Sequence, residues 1–480
     1  MSRSKRVLSV ILLTLLVLAG CGPSSNSSSG STGRGATFES TSCPFPVTGG
    51  VLPPSAVRCG YLIVPENRQL DTGRTIKVAV AVIKAQAPNP APDPLVDLVG
   101  GPGSSDLAVN GVSAVTHGVG PSFLWNRDLI LVDQRGAGFS QPSLACESYE
   151  TLRVCRQRLV KRFIDLSAYN TVENAADIAG LRTALGYHEI NVSGVSYGST
   201  LALQLMRDHP QGIRSVMMNG ITGPAFNAFN DAIPNTWHGL QQIFKDCAAD
   251  PSCNVRYPHL AQTFTNLLGR LQTHPAHPTN AGTLDAVTLW WWLNNYIASP
   301  ANVGSTPFAI WRMARGDFSS YVQDQEAQQA TGARPVTAGM FESMECSGDQ
   351  AQSSPARIAA RAQAVPIPNS VRLALIASEV AGLDDCAIWR VPSTPAANHT
   401  YFHSAIPTLL LPGRYEPKTS PEQAYPLAQH LGHSYVVPLP TMSHEINWSG
   451  CTATIIGEFL DHPNQKPDTS CTADMTMMWQ

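Results

Sequence analysis

Beyond its first six residues this 480-residue chain has no run of lysine or arginine, and its formal net charge is only −3 with a pI near 6.5. It offers no basic field to a polyanion, so nucleic acid is not expected as a partner. A small molecule or a peptide fits better. No C-x-x-C occurs among the eleven cysteines, which removes the usual zinc and redox spacings, and neither a metal nor a cofactor is expected. The apolar stretch Val7 to Gly20 is shorter than the roughly 20 residues a helix needs to span a bilayer. It follows the positive segment Met1 to Arg6 and reads as a signal peptide over residues 1–20. The length also exceeds one typical core, so the choice is one large domain with an insertion or two domains.

The quartet Leu18-Ala19-Gly20-Cys21 resembles the bacterial lipoprotein lipobox, which implies cleavage before Cys21 and a diacylglycerol on its sulfur. The expected location is exported, in the cell envelope, held to a membrane through Cys21. Residues 21–42, dominated by Ser and Gly, read as a flexible tether with a reach of about 25 Å. Ten cysteines remain after Cys21, an even number in an exported chain, so disulfides are expected. Sequence does not determine the pairing. Neighbours along the chain make Cys43 with Cys59, Cys146 with Cys155, Cys247 with Cys253 and Cys451 with Cys471 the default, leaving Cys346 with Cys386.

The body opens with strand-like runs at Arg58 to Pro65 and Thr75 to Lys84, which look like a hairpin. Short apolar strands then lead into glycine turns at Leu95 to Gly103 and Asp128 to Ser140. A helix pattern covers Thr171 to Leu185, and strands follow at Ile190 and at Ile213 to Met218. Alternating strands and helices predict a mostly parallel sheet with helices on both faces, an α/β fold. The core is expected over residues 43–222 and 396–480. Between them, 223–395 carries helical segments without strands and six of the nine tryptophans. This block reads as an inserted helical cap, its aromatics mostly core with some lining a cleft.

The chemistry centres on Ile190 to Leu203. A strand pattern ends in Gly194-Val-Ser-Tyr-Gly198 and an apolar helix begins at once, the strand-turn-helix setting of a nucleophile elbow. Ser196 is the candidate nucleophile. A serine hydroxyl needs a base and an orienting carboxylate, in the chain order serine, acid, histidine on this kind of sheet. Glu416 follows the strand ending near Gly413, and His444 follows the strand ending near Leu439. No other acid follows the Ile213 strand until Asp231. His444-Glu445 does not begin a zinc helix, because position 448 is Trp.

Four motifs together resemble the α/β-hydrolase peptidases of the prolyl iminopeptidase and tripeptidyl aminopeptidase group: Gly100-Gly-Pro-Gly103, Asp133-Gln-Arg-Gly-Ala-Gly-Phe-Ser140, the elbow, and Gly413-Arg-Tyr-Glu-Pro-Lys-Thr-Ser-Pro421 against that family's G-x-x-D-P-x-T-x-P. The resemblance extends from about residue 58 to the C-terminus. It implies an α/β-hydrolase fold and a triad of Ser196, Glu416 and His444, with an oxyanion hole from the N–H groups of Tyr197 and Gly101. Cys346 and Cys386 resemble the cap cysteines of the secreted branch, and Cys451 with Cys471 its C-terminal pair. The acids beside Cys346, Glu345 and Asp349, are candidates for holding a free α-ammonium, whereas Asp133 and Arg135 are expected to pin the glycine loops. Three departures stand out: Val99 where the family has a histidine, Glu416 for aspartate, and Asn219-Gly220 for Asp-Gly.

The expected activity is a serine exopeptidase that releases N-terminal residues or short peptides through an acyl-enzyme, its partners being peptides with a free N-terminus. An esterase or lipase-like hydrolase using the same triad, or a catalytically silent binding lipoprotein, are the alternatives. The number of residues released, a preference for proline and the oligomeric state stay open.

Overall fold

The segment Thr75–Ile83, Thr-Ile-Lys-Val-Ala-Val-Ala-Val-Ile, decides how the molecule is layered. Successive side chains of a strand point to opposite faces. Val78, Val80 and Val82 lie buried in one apolar cluster, while Ala79, Ala81 and Ile83 lie buried in another. A strand apolar on both sides belongs inside a sheet covered on both faces. The computed structural model describes residues 35–480 apart from 48–49, 71, 112, 114–121 and 331–335. The expected leader, Cys21 as the expected lipidation site and the expected tether as far as residue 34 lie outside the described residues.

Nine strands form one sheet: β1 (Thr37–Thr41), β2 (Val57–Pro65), β3 (Thr75–Ile83), β4 (Leu95–Leu98), β5 (Leu129–Val132), β6 (Ile190–Val195), β7 (Ile213–Asn219), β8 (Thr408–Leu410) and β9 (Ser434–Val436). Their order is β1-β2-β3-β5-β4-β6-β7-β8-β9. The first three strands are antiparallel, and β3 runs antiparallel to β5; every pairing from β5 to β9 is parallel. The α/β-hydrolase architecture expected from the motifs is therefore the one observed.

One boundary needs correcting. The flexible segment does not continue to residue 42, because Thr37–Thr41 pairs along β2. Phe38 supplies the reason. Its ring lies over Gly60 of β2 and carries the Arg58 guanidinium at 4.7 Å, so this edge gains packing that a Ser/Gly stretch lacks.

Helix α1 (Thr171–Ala184) and helix α2 (Tyr197–Asp208) cover one face, with Ile178, Leu181, Leu201 and Leu205 in the same buried cluster as the valines of β3. The last helix, Gly450–Asp461, covers the other face through Ile455, Ile456 and Phe459. Between β7 and β8 the chain runs through helices, among them α3 (Ala228–Ala249), α4 (Leu260–Thr273), α5 (Ala286–Tyr296), α6 (Ala338–Ser347) and α7 (Asn369–Trp389). Among the described residues, the ladder contact within this insertion is the isolated bridge Ala276–Leu284. The insertion has its own core around Phe264, Leu267, Trp290 and Leu293, in which amphipathic helices bury their apolar stripes against each other. Five disulfides join the ten cysteines in the default pairing, including Cys346 with Cys386.

Candidate active site

Ser196 stands between β6 and α2 with φ 57° and ψ −127°, a region L-residues rarely occupy. Such a conformation costs on the order of 1–3 kcal/mol and persists only where the surroundings hold it. Here they do. The Ser196 carbonyl accepts from the Ser199 N–H at 2.8 Å, the Ser199 hydroxyl at 2.7 Å and the Thr222 hydroxyl at 3.2 Å. The Ser196 N–H donates to the Asn219 carbonyl at 3.2 Å. Close approach explains the flanking glycine: a Cβ on Gly198 would lie 1.7 Å from the Leu98 carbonyl oxygen. Any side chain there would push α2 off the sheet.

The loops after β8 and β9 bring the acid and the base together. Gly413 bridges Leu439, and the Tyr415 N–H donates to the Met442 carbonyl at 3.1 Å, so the two loops are bound to each other. Glu416, 1% exposed, places its two carboxylate oxygens 3.0 and 2.9 Å from Nδ1 of His444, itself 6% exposed. A carboxylate has only acceptors, so Nδ1 carries the proton and the neutral ring keeps Nε2 free to accept one. Oε1 of Glu416 also accepts from the N–H groups of Lys418 at 2.6 Å and Thr419 at 3.1 Å. Burial alone would raise this carboxyl. His444 and the two N–H groups outweigh it and hold Glu416 below the usual carboxylate range.

Gly220 links the pair to the serine. A Cβ on it would fall 2.8 Å from His444 Cε1 and 3.3 Å from the Ser196 nitrogen, so imidazole and nucleophile backbone pack on one residue. Asn219, beside it, donates its side-chain amide to the His444 carbonyl at 2.9 Å. The glycine loop arrives from β4, and a Cβ on Gly100 would be 3.2 Å from Ser196 Oγ. The Gln134 amide holds that loop through the Val99 carbonyl at 2.9 Å. Gly101 and Tyr197, the two expected oxyanion donors, both line the cavity at Ser196. Tyr197 is the first residue of α2, so its N–H has no acceptor within the helix.

Asp133 and Arg135 do not line this cavity. Asp133, fully buried, accepts from the Ser105 hydroxyl at 3.0 Å and from the N–H groups of Leu107 at 3.1 Å and Phe139 at 2.7 Å. Arg135 pairs with Asp177 at 2.8 and 2.9 Å and reaches the carbonyls of Glu66 and Ala168. They pin the chain around the site.

The cavity measures about 270 Å³ and is roofed by the insertion, with Trp291, Asn294 and Phe341 among its lining. Trp290 and Trp389 are instead fully buried. Glu345, on α6, and Asp349 just after it both line the cavity. Burial, and then the charges of Asp349, Glu342 and Glu379, push the Glu345 carboxyl well above its ordinary range. Burial likewise raises Asp349 to about 6, against the Ala228 N–H that it accepts at 2.7 Å. The sequence reading missed Lys418, which lines the same cavity and occupies a variable place in the acid-loop motif. That variable place was the one signal available for it.

A strained serine after a central strand, a histidine held by a buried acid, and a helical roof over all three define an α/β hydrolase. A family model described as the alpha/beta hydrolase fold matches residues 93–450, and the chain belongs to that family. Among named relatives, serine protease Hip1 of Mycobacterium tuberculosis is 27% identical over 234 residues, 43% of this chain and 43% of that protein. Tripeptidyl aminopeptidase of Streptomyces lividans is 24% identical over 200 residues, 36% of each chain. Carboxylesterase B of Mycobacterium tuberculosis is 25% identical over 421 residues, 78% of each. The aligned part thus covers less than half of the two peptidases.

Proposed function

We propose that the protein is a serine exopeptidase that removes N-terminal residues or short peptides from substrates with a free α-ammonium. Ser196 Oγ attacks the scissile carbonyl carbon as His444 Nε2 takes its proton, and the N–H groups of Tyr197 and Gly101 bind the oxyanion. His444 then protonates the leaving amine as the C–N bond breaks, leaving the acyl group on Ser196. A water, deprotonated by His444, attacks the ester; Ser196 regains its proton and the N-terminal fragment leaves as a carboxylate. Glu416 keeps the imidazole in one tautomer and stabilises its charged form.

The observation that carries the reading is the placement of Glu345 and Asp349 in the cavity of Ser196, where the charges acting on them are other acids. Two carboxyls that repel each other are relieved by an ammonium. An ester substrate has no group for them. The peptidase-named relatives support the same choice, while the esterase-named relative keeps ester hydrolysis as the rival.

The test compares aminoacyl and tripeptidyl reporter amides bearing a free amine, their N-acetylated forms and a short-chain ester, with Ser196→Ala as control. Among the amides, cleavage restricted to those with a free amine, lost in Ser196→Ala and weakened in Glu345→Gln, supports the proposal. Turnover of the ester alone supports the esterase, and no serine-dependent turnover supports a silent binding protein. Export and lipid anchoring at Cys21 belong to the same proposal, and five disulfides suit an oxidising compartment. Mass spectrometry of the mature N-terminus, with Cys21→Ala as control, decides whether a lipid is present.

A further inference from the structure

The cavity at Ser196 carries a cation as well as acids. Lys418 lies two residues beyond Glu416, and its ammonium donates to the side-chain carbonyls of Asn294 at 2.9 Å and Asn295 at 2.7 Å. An ammonium has three N–H donors, and these amides take two. Among the described residues no carboxylate makes an ion pair with Lys418: the Glu416 carboxylate faces His444, and Glu416 and Glu445 act on the ammonium only through their charges at longer range. The other cation lining the cavity, Arg207, is bonded to the Thr400 carbonyl and lies 4.9 Å from the Phe402 ring centre.

The positions of these charges relative to the proposed chemistry differ. Glu345 follows Met344, whose sulfur contacts the Tyr197 hydroxyl at 3.1 Å, so the acids belong to the wall beside the elbow. Lys418 belongs to the wall of Glu416 and His444, with its own N–H on the Glu416 carboxylate. In acyl transfer the leaving amine takes its proton from the histidine, so the departing part of the substrate lies along the histidine wall. This step rests on the exopeptidase reading above.

We propose that Lys418 binds a carboxylate carried by the leaving portion of the peptide, so that the preferred substrates are those whose released C-terminal part is anionic there. The carboxylate has two possible sources, the free C-terminus of a short oligopeptide or an Asp or Glu side chain near the cleaved bond. Both present the same chemistry to an ammonium whose remaining donor lacks an anionic partner. Partial burial favours the pairing, because it lowers the lysine's own hold on its proton and a carboxylate restores it.

Three peptides with one acyl part and different leaving parts test this: a neutral C-terminal amide, the free C-terminal carboxylate, and an amide containing glutamate. The expected kcat/KM is about tenfold or more higher for one or both anionic peptides, as a charge-assisted contact implies. Lys418→Met brings that ratio to about one, whatever it does to absolute rates. Whichever anionic peptide gains identifies the source. A wild-type ratio of one, or a preference that survives in Lys418→Met, overturns the proposal. If no peptide is cleaved, the exopeptidase reading fails by itself, and calorimetric binding of the same peptides to Ser196→Ala protein then tests Lys418 independently of turnover. Equal affinities there refute its role, and tighter anionic binding that disappears in the Ser196→Ala, Lys418→Met double variant sustains it.

Discussion

Asn219 bonds to His444 through its side-chain amide, 2.9 Å from the histidine carbonyl, while its own carbonyl takes the Ser196 N–H at 3.2 Å. One residue at the end of β7 therefore sets the backbone positions of both proposed proton-transfer partners. Asn219→Ala leaves the buried His444 carbonyl without its donor. The expected cost is about 1–3 kcal/mol of stability, together with a fall in kcat of roughly tenfold and little change in KM. Thermal unfolding and steady-state kinetics on a reactive ester check both parts.

Gly220 admits a sharper test, because a methyl group there would stand 2.8 Å from His444 Cε1 and 2.9 Å from Nδ1. Its φ of +54° already disfavours a side chain. Gly220→Ala must displace either the imidazole or the strand end. Turnover should fall at least tenfold, which corresponds to about 1.4 kcal/mol in the barrier, and the far-ultraviolet circular dichroism should stay that of the parent. Retained turnover would mean that the ring does not use the space beside this glycine.

Much of this site is legible in the sequence because its chemistry sits in short motifs attached to strands. The elbow is contiguous, and the strand before it and the helix after it both follow from local periodicity. Glu416 and His444 were reachable because each follows a strand whose apolar run is plain. Lys418 was not, for it stands in a variable place of its motif and only the packing of α5 against that loop turns it into the cavity. Trp291 was equally hidden: Trp290, Trp291 and Trp292 are identical letters, and the orientation of α5 alone sends the first into the core and the second to the cavity. The misjudged tether end has a different cause. Five residues with one aromatic make a weak strand signal, and pairing with β2 supplies what propensity does not.

Glu416 carries the clearest electrostatic prediction. Glu416→Gln keeps the shape but removes the charge that supports an imidazolium, so kcat should fall roughly 10³-fold or more. Glu416→Asp, one methylene shorter, should retain more activity. Because the folded carboxyl lies below its ordinary value of 4.5, its contribution to stability is present above that pH and is lost as the pH falls through the depressed native value. Glu416→Gln should flatten that acid-side slope. Urea unfolding between pH 3 and pH 6 reads it directly.

The roof acids have the opposite sign. Burial raises Glu379 to about 7 and Asp349 to about 6, so each binds its proton more tightly folded than unfolded. Their contribution to stability is present below the unfolded values of 4.5 and 3.8 and is lost as the pH rises through about 6 to 7. Glu379→Gln and Asp349→Asn should accordingly raise Tm more at pH 8 than at pH 5. A peptide with a free amine, bound to Ser196→Ala protein, should stabilise it more at the higher pH, where the acids are ionised. The N-acetylated peptide should show no such difference.

The Cys346–Cys386 disulfide joins α6 to α7 across 40 residues and places a covalent tie next to Glu345. Closing a loop of that length restricts the unfolded chain by about 4 kcal/mol in the loop-entropy model. Replacing both cysteines with alanine should lower Tm. Its effect on chemistry should be selective, because Ser196, Glu416 and His444 stand on the sheet's strand ends and loops, whereas Glu345 depends on how α6 is held. The double variant should keep most of its turnover of a small neutral ester and lose preference for a free-amine amide over its acetylated form. An equal loss on both substrates would instead show that this tie supports the whole cavity rather than the acidic wall alone.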